Sequence, residues 1–204
     1  RAMEEHEEWR SGFAECKRWF DYIVHQPAQE QTISEGNAGV EVKQDTDNGG
    51  KMLVHFQHCS DPQTARLELH EVAALRFYTS LAFKWINNPL RRQIKPHPLA
   101  LTTIYIYNGL KKLRATHLCS KAKFKSRYLW RGMKNLTVSN DFMLLGGCEP
   151  ACMSTSEALS VVAGYASSMS PLLFRIKVDS PMDLGANIKW CSVYPGVCGI
   201  DGNH

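Results

Sequence analysis

The chain has little of what would make its chemistry obvious. There is no Gly-x-Ser-x-Gly elbow, no Walker loop and no dinucleotide Gly-x-Gly-x-x-Gly, so three common routes to a nucleophile or a bound nucleotide are missing. No run approaches the ~18 apolar residues that a membrane span needs, and the opening stretch "RAMEEHEEWR" has no signal-peptide core. Neither an internal repeat nor a low-complexity segment is present. Charge of one sign is also scarce: 24 Lys and Arg against 20 Asp and Glu leave a formal +4. The basic residues are densest at Lys111, Lys112 and Arg114, continuing to Lys121, Lys123, Lys125 and Arg127, and they read as a solvated helix face and loop. Nucleic acid is therefore not an expected partner, and neither is a membrane.

What is present is an ordinary globular composition. In 204 residues, 44% are hydrophobic and 22% charged, enough for a packed core and one domain with an N-terminal extension. Seven cysteines, an odd number, favour reduced thiols in an intracellular, cytoplasmic setting. The first residue is Arg rather than Met, which leaves a secretory segment upstream open. Cys148 and Cys152 are spaced loosely enough for zinc, with Cys191, Cys198, His117 and His204 as further ligands. The second half lacks paired spacing, so scattered free thiols are the better reading. His55, His58 and Cys59 are read the same way. Asn135-Leu136-Thr137 matches the glycosylation pattern, which matters only in a secreted chain.

Periodicity orders the elements. Residues 2–25 form a helix, with Trp9, Phe13, Cys16, Phe20 and Ile23 as its apolar stripe and acidic residues in its first turns. Residues 27–50, polar and holding five Gly or Pro, read as a loop. "KMLVHFQH" (51–58) alternates like a strand. Residues 64–88 read as one long helix with a stripe of Leu69, Val72, Ala73, Phe77, Leu81 and Trp85, ending at Asn87-Asn88-Pro89. A second helix spans 98–114, with Leu101, Ile104, Tyr105, Tyr107 and Leu110 available for burial. Strand-like runs follow at 127–131, 152–155, 172–178 and 190–194, with one helix at 157–166. Helices first and strands last predict an α+β chain. Residues 1–60 are taken as an N-terminal helix, loop and strand, and 61–204 as the main domain, its C-terminal strand altered.

One ordered set rises above this background. In "YLWRGM" an arginine closes an apolar run and a glycine follows, Arg131 and Gly132; "ACMSTSEAL" then supplies Ser154, Thr155 and Ser156. An Arg fork suits a phosphate pair, and a Gly beside it lets a flat ring approach the backbone. Ser and Thr hydroxyls brace a site or bond a ribose, although a Ser-Thr-Ser run is equally a helix N-cap.

Together with "LHEVAALRFYTSLAFKWINNPLR" (69–91), "TTIYIYNGLKKLR" and "LLFRIKVDSPMDLGANIKWCSVYPG", this order resembles the Arg–Ser–Glu clade of mono-ADP-ribosyltransferases, which modify protein arginine using NAD. The resemblance covers 64–196, about two-thirds of the chain. It implies an ADP-ribosyltransferase-like split β-sandwich with an N-terminal helical part and NAD in the cleft between the sheets. It implies that Arg131 binds NAD phosphate or the nicotinamide ribose, that Gly132 meets the nicotinamide amide, and that Ser154, with Thr155 and Ser156, holds the site in shape. Tyr165 and Phe174 are aromatic candidates for the cleft.

The family's acidic loop, Pro-Gly-Glu-x-Glu, is Pro195-Gly196-Val197-Cys198-Gly199 in this chain, so Val197 and Gly199 stand at both glutamate positions. Asp201, the nearest carboxylate, is shorter and displaced by a full strand repeat. A positioned acid–base group contributes roughly 10²–10⁴-fold in rate, and a carboxylate steadying an oxocarbenium-like state comparably or more. Transfer of ADP-ribose to protein arginine is therefore expected to fall towards background, while NAD binding suffers less. The alternatives are a degenerate NAD- or ADP-ribose-binding module, and a protein-interaction module whose basic stretch meets a partner.

Overall fold

The computed structural model describes residues 2–35, 40–119, 124–166, 168–180 and 183–194. Helix α1 (Ala2–His25) opens the chain, followed by β1 (Gln31–Glu35) and β2 (Val40–Gln44). Short helices α2 (Leu53–Gln57) and α3 (Ser60–Thr64) lead into α4 (Leu69–Tyr78), α5 (Phe83–Arg91) and α6 (Ala100–Cys119). Then come β3 (Arg127–Met133), α7 (Asn140–Leu145), α8 (Leu159–Ala166) and β4 (Leu172–Val178), and a 3₁₀ turn at Lys189–Cys191. The described residues thus make a mixed α+β chain of eight helices and two small sheets, β1–β2 and β3–β4, each two-stranded and antiparallel. No sandwich is seen among them. None of the described helices is long and apolar enough to cross a membrane.

The helical part carries the main core. Among the described side chains of α1, Cys16, Trp19, Tyr22 and Ile23 are buried, whereas Phe13 and Phe20 of the expected stripe face solvent and the Trp9 side chain lies outside the described residues. Two stripes overlap in this helix. The one that wins places Gly12 against α5, where a Cβ would collide with the Trp85 ring, and lets Trp85 Nε1 donate to Glu15 Oε2 at 2.9 Å. On α6 the buried face is Ile106, Gly109 and Leu113, and Leu101, Ile104 and Tyr107 are exposed, contrary to expectation. Gly109 sets that rotation, because its bare Cα lets Leu75 of α4 pack against the helix axis.

Several sequence-based boundaries move for local reasons. Residues 51–58 are not a strand. Met52 N–H donates to His55 Nδ1 at 2.8 Å, capping α2, and Leu53 and Phe56 are buried at helical spacing. The alternation of so short a run does not separate the two periods. The long helix expected over 64–88 breaks at residues 79–82, where Thr79 Oγ1 and Ser80 Oγ donate to the carbonyls of Arg76 and Phe77, each at 2.7 Å. These hydroxyls turn back on the last carbonyls of α4 and end it. Conversely α5 runs through Pro89 to Arg91, the proline removing only one intrahelical donor. The polar loop at 27–50 contains the β1–β2 hairpin, with Ile33 opposite Val42. Residues 152–155 form no strand, and residues 190–194 are a 3₁₀ turn followed by irregular backbone rather than a strand.

That last segment is nonetheless fixed, since Cys191 to Tyr194 are all buried. Arg76 Nη1 donates to the Cys191 carbonyl at 3.2 Å, Asn48 Nδ2 to that of Ser192 at 2.9 Å, and Asp45 N–H to that of Val193 at 2.7 Å. Behind these bonds lies a buried pair, Arg76 with Asp45, at 2.6 Å. Tyr22 Oη and Asn48 Nδ2 also donate to the Asp45 carboxylate. Burial, and then the bond to Asp45, push the Tyr22 hydroxyl up to about 12.

Candidate functional site

Strand β3 pairs with β4 so that Trp130, Arg131 and Gly132 lie opposite Arg175, Phe174 and Leu173. On its other edge β3 makes a single bridge. Trp130 N–H donates to Ser156 O at 2.7 Å, and Ser156 N–H to Trp130 O at 2.9 Å. This bridge sets the Ser-Thr-Ser segment beside the Arg-Gly pair. Arg131 Nη1 then donates to the carbonyl of Ser154 at 3.1 Å. Two motifs that are 23 residues apart in sequence become neighbours in space.

The helices hold the second motif from behind. Tyr78 Oη, at the end of α4, donates to the Cys152 carbonyl at 3.1 Å and lies 3.0 Å from Ser154 Oγ. With its proton on the carbonyl, the phenol accepts from the Ser154 hydroxyl. Asn87 Nδ2 of α5 donates to the same Cys152 carbonyl at 3.2 Å. Ser154 therefore has its backbone tied to Arg131 and its hydroxyl tied to Tyr78, which suits a residue that shapes a site. Thr155 is half-buried. Ser156 is buried and its Oγ accepts from Ala158 N–H at 3.1 Å, so it also turns the chain towards α8.

A third group joins from the loop after α7. Gly146 ends that helix at φ 73°, in the left-handed region where a side chain is strained, and Glu149 follows three residues on. Arg91, the last residue of α5, grips the Glu149 carboxylate with Nε and Nη2, one edge of its guanidinium, at 2.9–3.2 Å. Arg131 Nη2 lies 3.8 Å from the same carboxylate. The Arg91 hydrogen bonds hold Glu149 below the usual carboxylate range, whereas burial lowers Arg131 and raises the Tyr78 hydroxyl and the Cys152 thiol. A guanidinium that has lost water is a stronger donor to an incoming anion than one at the surface.

Cross-strand neighbours share a face, so Phe174 stands on the Arg131 side of the sheet. Its ring lies 6.0 Å from that of Phe142 in α7. The other aromatic candidate, Tyr165, has a side chain outside the described residues. So are Val197, Gly199 and Asp201, together with Cys198 and His204 of the conceivable zinc set. The cysteines that are described and unpaired are Cys16, Cys59, Cys148, Cys152 and Cys191. Among the described residues no three His, Cys, Asp or Glu side chains converge on a metal position. Part of the basic run is engaged: Lys112 pairs with Glu71 at 2.7 Å and Arg127 with Glu157 at 3.0 Å.

Arg131, Gly132, Ser154, Thr155 and Ser156 thus lie along one edge, and the sequence reading had named all five. Four further residues had not been singled out: Tyr78, Asn87, Arg91 and Glu149. Three of them, Tyr78, Asn87 and Arg91, lie within the 69–91 stretch on which the resemblance rests, and that stretch is the signal that points to them. No family model, no curated protein and no solved structure matches the chain.

Proposed function

We propose that the chain is a domain of the protein-arginine mono-ADP-ribosyltransferase type that binds NAD along the Arg131–Ser154 edge and transfers ADP-ribose only weakly. The observation that carries this reading is the 3.1 Å bond from Arg131 Nη1 to the Ser154 carbonyl across the Trp130–Ser156 bridge. Their contact joins the two motifs into one surface. A split β-sandwich is the finer form this reading assigns to the α+β chain.

In this reading Arg131 presents its remaining donors to the dinucleotide's phosphate or ribose oxygens. Gly132, without a Cβ, leaves room for the nicotinamide against the strand, and Phe174 offers an aromatic surface on the same side. Ser154 acts through its position, as its two bonds are already spent on Arg131 and Tyr78. In the transfer reaction the bond between nicotinamide and ribose breaks, nicotinamide leaves with its electron pair, and an arginine nitrogen of an acceptor protein bonds to the ribose and releases a proton. Val197 and Gly199 offer no carboxylate to steady the developing cation or to take that proton. The missing groups are worth roughly 10²–10⁴-fold each.

Calorimetric titration with NAD tests the binding half, with the expectation that Arg131→Ala abolishes measurable affinity. The catalytic half is tested by release of nicotinamide, with and without an arginine mimic. Val197→Glu/Gly199→Glu should raise turnover by at least about 100-fold over the natural chain. If NAD binds neither protein, the reading is wrong.

A further inference from the structure

Two guanidinium groups from distant parts of the chain converge on one internal carboxylate. Arg91 comes from the end of α5 and Arg131 from the middle of β3, and Glu149 lies between them. The match is incomplete. Both Glu149 oxygens are taken by Arg91, leaving Arg131 Nη2 at 3.8 Å, beyond hydrogen-bond reach. Two positive charges face one negative charge. The carboxylate arrives on neither helix nor strand but on the Gly146–Ala151 loop, where its one further tie is Oε1 accepting from Ala151 N–H at 3.1 Å. Arg91 and Glu149 are both partly open to water, at 36% and 28% exposure, so an outside anion can reach them.

We propose that Arg91 and Arg131 form a single two-arginine site for a diphosphate, and that Glu149 is an internal occupant which the diphosphate displaces. A diphosphate carries more charge and more acceptor oxygens than a carboxylate, and it can engage both forks at once. Rotation of one side chain clears the site. In the context of the NAD reading, on which this inference rests for its natural ligand, Arg91 becomes a second binding residue and Glu149 sets the affinity.

The probe is inorganic pyrophosphate, titrated by calorimetry at fixed ionic strength into the natural chain, Glu149→Gln, Arg91→Gln and the double variant. Glu149→Gln keeps the side chain's shape and the acceptor for Ala151, and it removes the competing charge. It should tighten pyrophosphate by about 1.5- to fivefold, the range set by an exposed ion pair. Arg91→Gln should weaken pyrophosphate by at least as much in either background. The milder Arg91→Lys should fall between, because an ammonium cannot grip two oxygens at once. Equal or weaker binding by Glu149→Gln overturns the proposal, since Glu149 would then orient the arginines rather than compete for them. Binding indifferent to Arg91 overturns it as well. Pyrophosphate that behaves as expected while NAD fails to bind leaves this site standing and removes the NAD reading. NAD that binds through Arg131 with both ligands indifferent to Arg91 and Glu149 does the reverse.

Discussion

Of the arginine–carboxylate pairs among the described residues, two of similar length sit in opposite surroundings. Arg76 and Asp45 meet at 2.6 Å in the helical core with side-chain exposures of 2% and 1%, and Arg91 and Glu149 meet at 2.9 Å at the rim of the strand-bearing part. The buried pair is saturated. Asp45 accepts from Arg76, Tyr22 and Asn48, and Arg76 spends a further donor on Cys191 and stacks over Phe56 at 4.2 Å. Burial closes the pair to a ligand, and the product of all these bonds is position: the Cys191–Tyr194 segment is pinned beside α4. The rim pair is unsaturated, with Arg131 standing just out of reach. The same chemistry serves structure where water is excluded and stays available for exchange where it is not.

The contrast is most sharply broken by removing one partner of the buried pair. Asp45→Ala leaves a guanidinium buried without its counter-charge, and such losses amount to about 3–5 kcal/mol. Urea unfolding should record a drop of that size at pH 7. Proteolysis should cut after Lys189 more readily, because the Asp45 carboxylate holds Arg76 and Asn48, whose side chains donate to the Cys191 and Ser192 carbonyls. A loss below about 1 kcal/mol would mean that the pair is not what holds the C-terminal segment.

The same division applies to apolar side chains. The helical part buries Val72, Leu75, Ile86, Ile106 and Leu113 almost completely, whereas α7 exposes Met143, Leu144 and Leu145 at 74%, 82% and 85%. Leu75→Ala should cost about 2–5 kcal/mol, since it empties a site hemmed in by Gly109 and the α4–α6 contact. Leu144→Ala should stay within about 0.5 kcal/mol of the natural chain. Thermal unfolding of the two variants side by side measures the difference. A large effect at Leu144 would show that α7 is covered in solution.

Much of this division was legible in the sequence, but unevenly. The existence of α1 and α6 follows from periods long enough to be distinct, and β3, α8 and β4 from strand-like runs with room for one helix between them. The buried faces of α1 and α6 do not, because each helix carries two apolar stripes and a glycine at a helix crossing chooses between them. Gly12 and Gly109 carry that choice, and hydrophobicity is silent about a residue with no side chain. Arg131, Gly132 and Ser154–Ser156 were picked out by their order in the sequence, and the structure brings them to one edge. Glu149 was not, because a lone carboxylate in a Gly-Gly-Cys-Glu-Pro loop has neither period nor partner until Arg91 is placed beside it. Tyr78 shows the intermediate case: it lies in the 69–91 stretch that carries the resemblance, yet only the packing of α4 against residues 152–154 gives its hydroxyl a task.

A second small expected effect closes the comparison from the rim side. Glu149→Gln should change unfolding stability by less than about 1 kcal/mol, as both members of the pair are solvated and screened. Its pH dependence has a definite sign. Arg91 lowers the Glu149 pKa in the folded chain, so whatever stability the pair adds is present above the ordinary carboxylate range and disappears as pH falls through the lowered value. The natural chain should therefore lose its small advantage over Glu149→Gln on acidification below about pH 4.5 and keep it near neutrality. Adding 0.5 M salt at pH 7 should shrink the difference further. The buried Asp45 pair should resist the same salt, because no ions reach it. Equal salt sensitivity of the Asp45→Ala and Glu149→Gln differences would erase the distinction between the two pairs. A salt-sensitive rim beside a salt-insensitive core would instead leave Glu149 free to exchange while Asp45 keeps the frame in place.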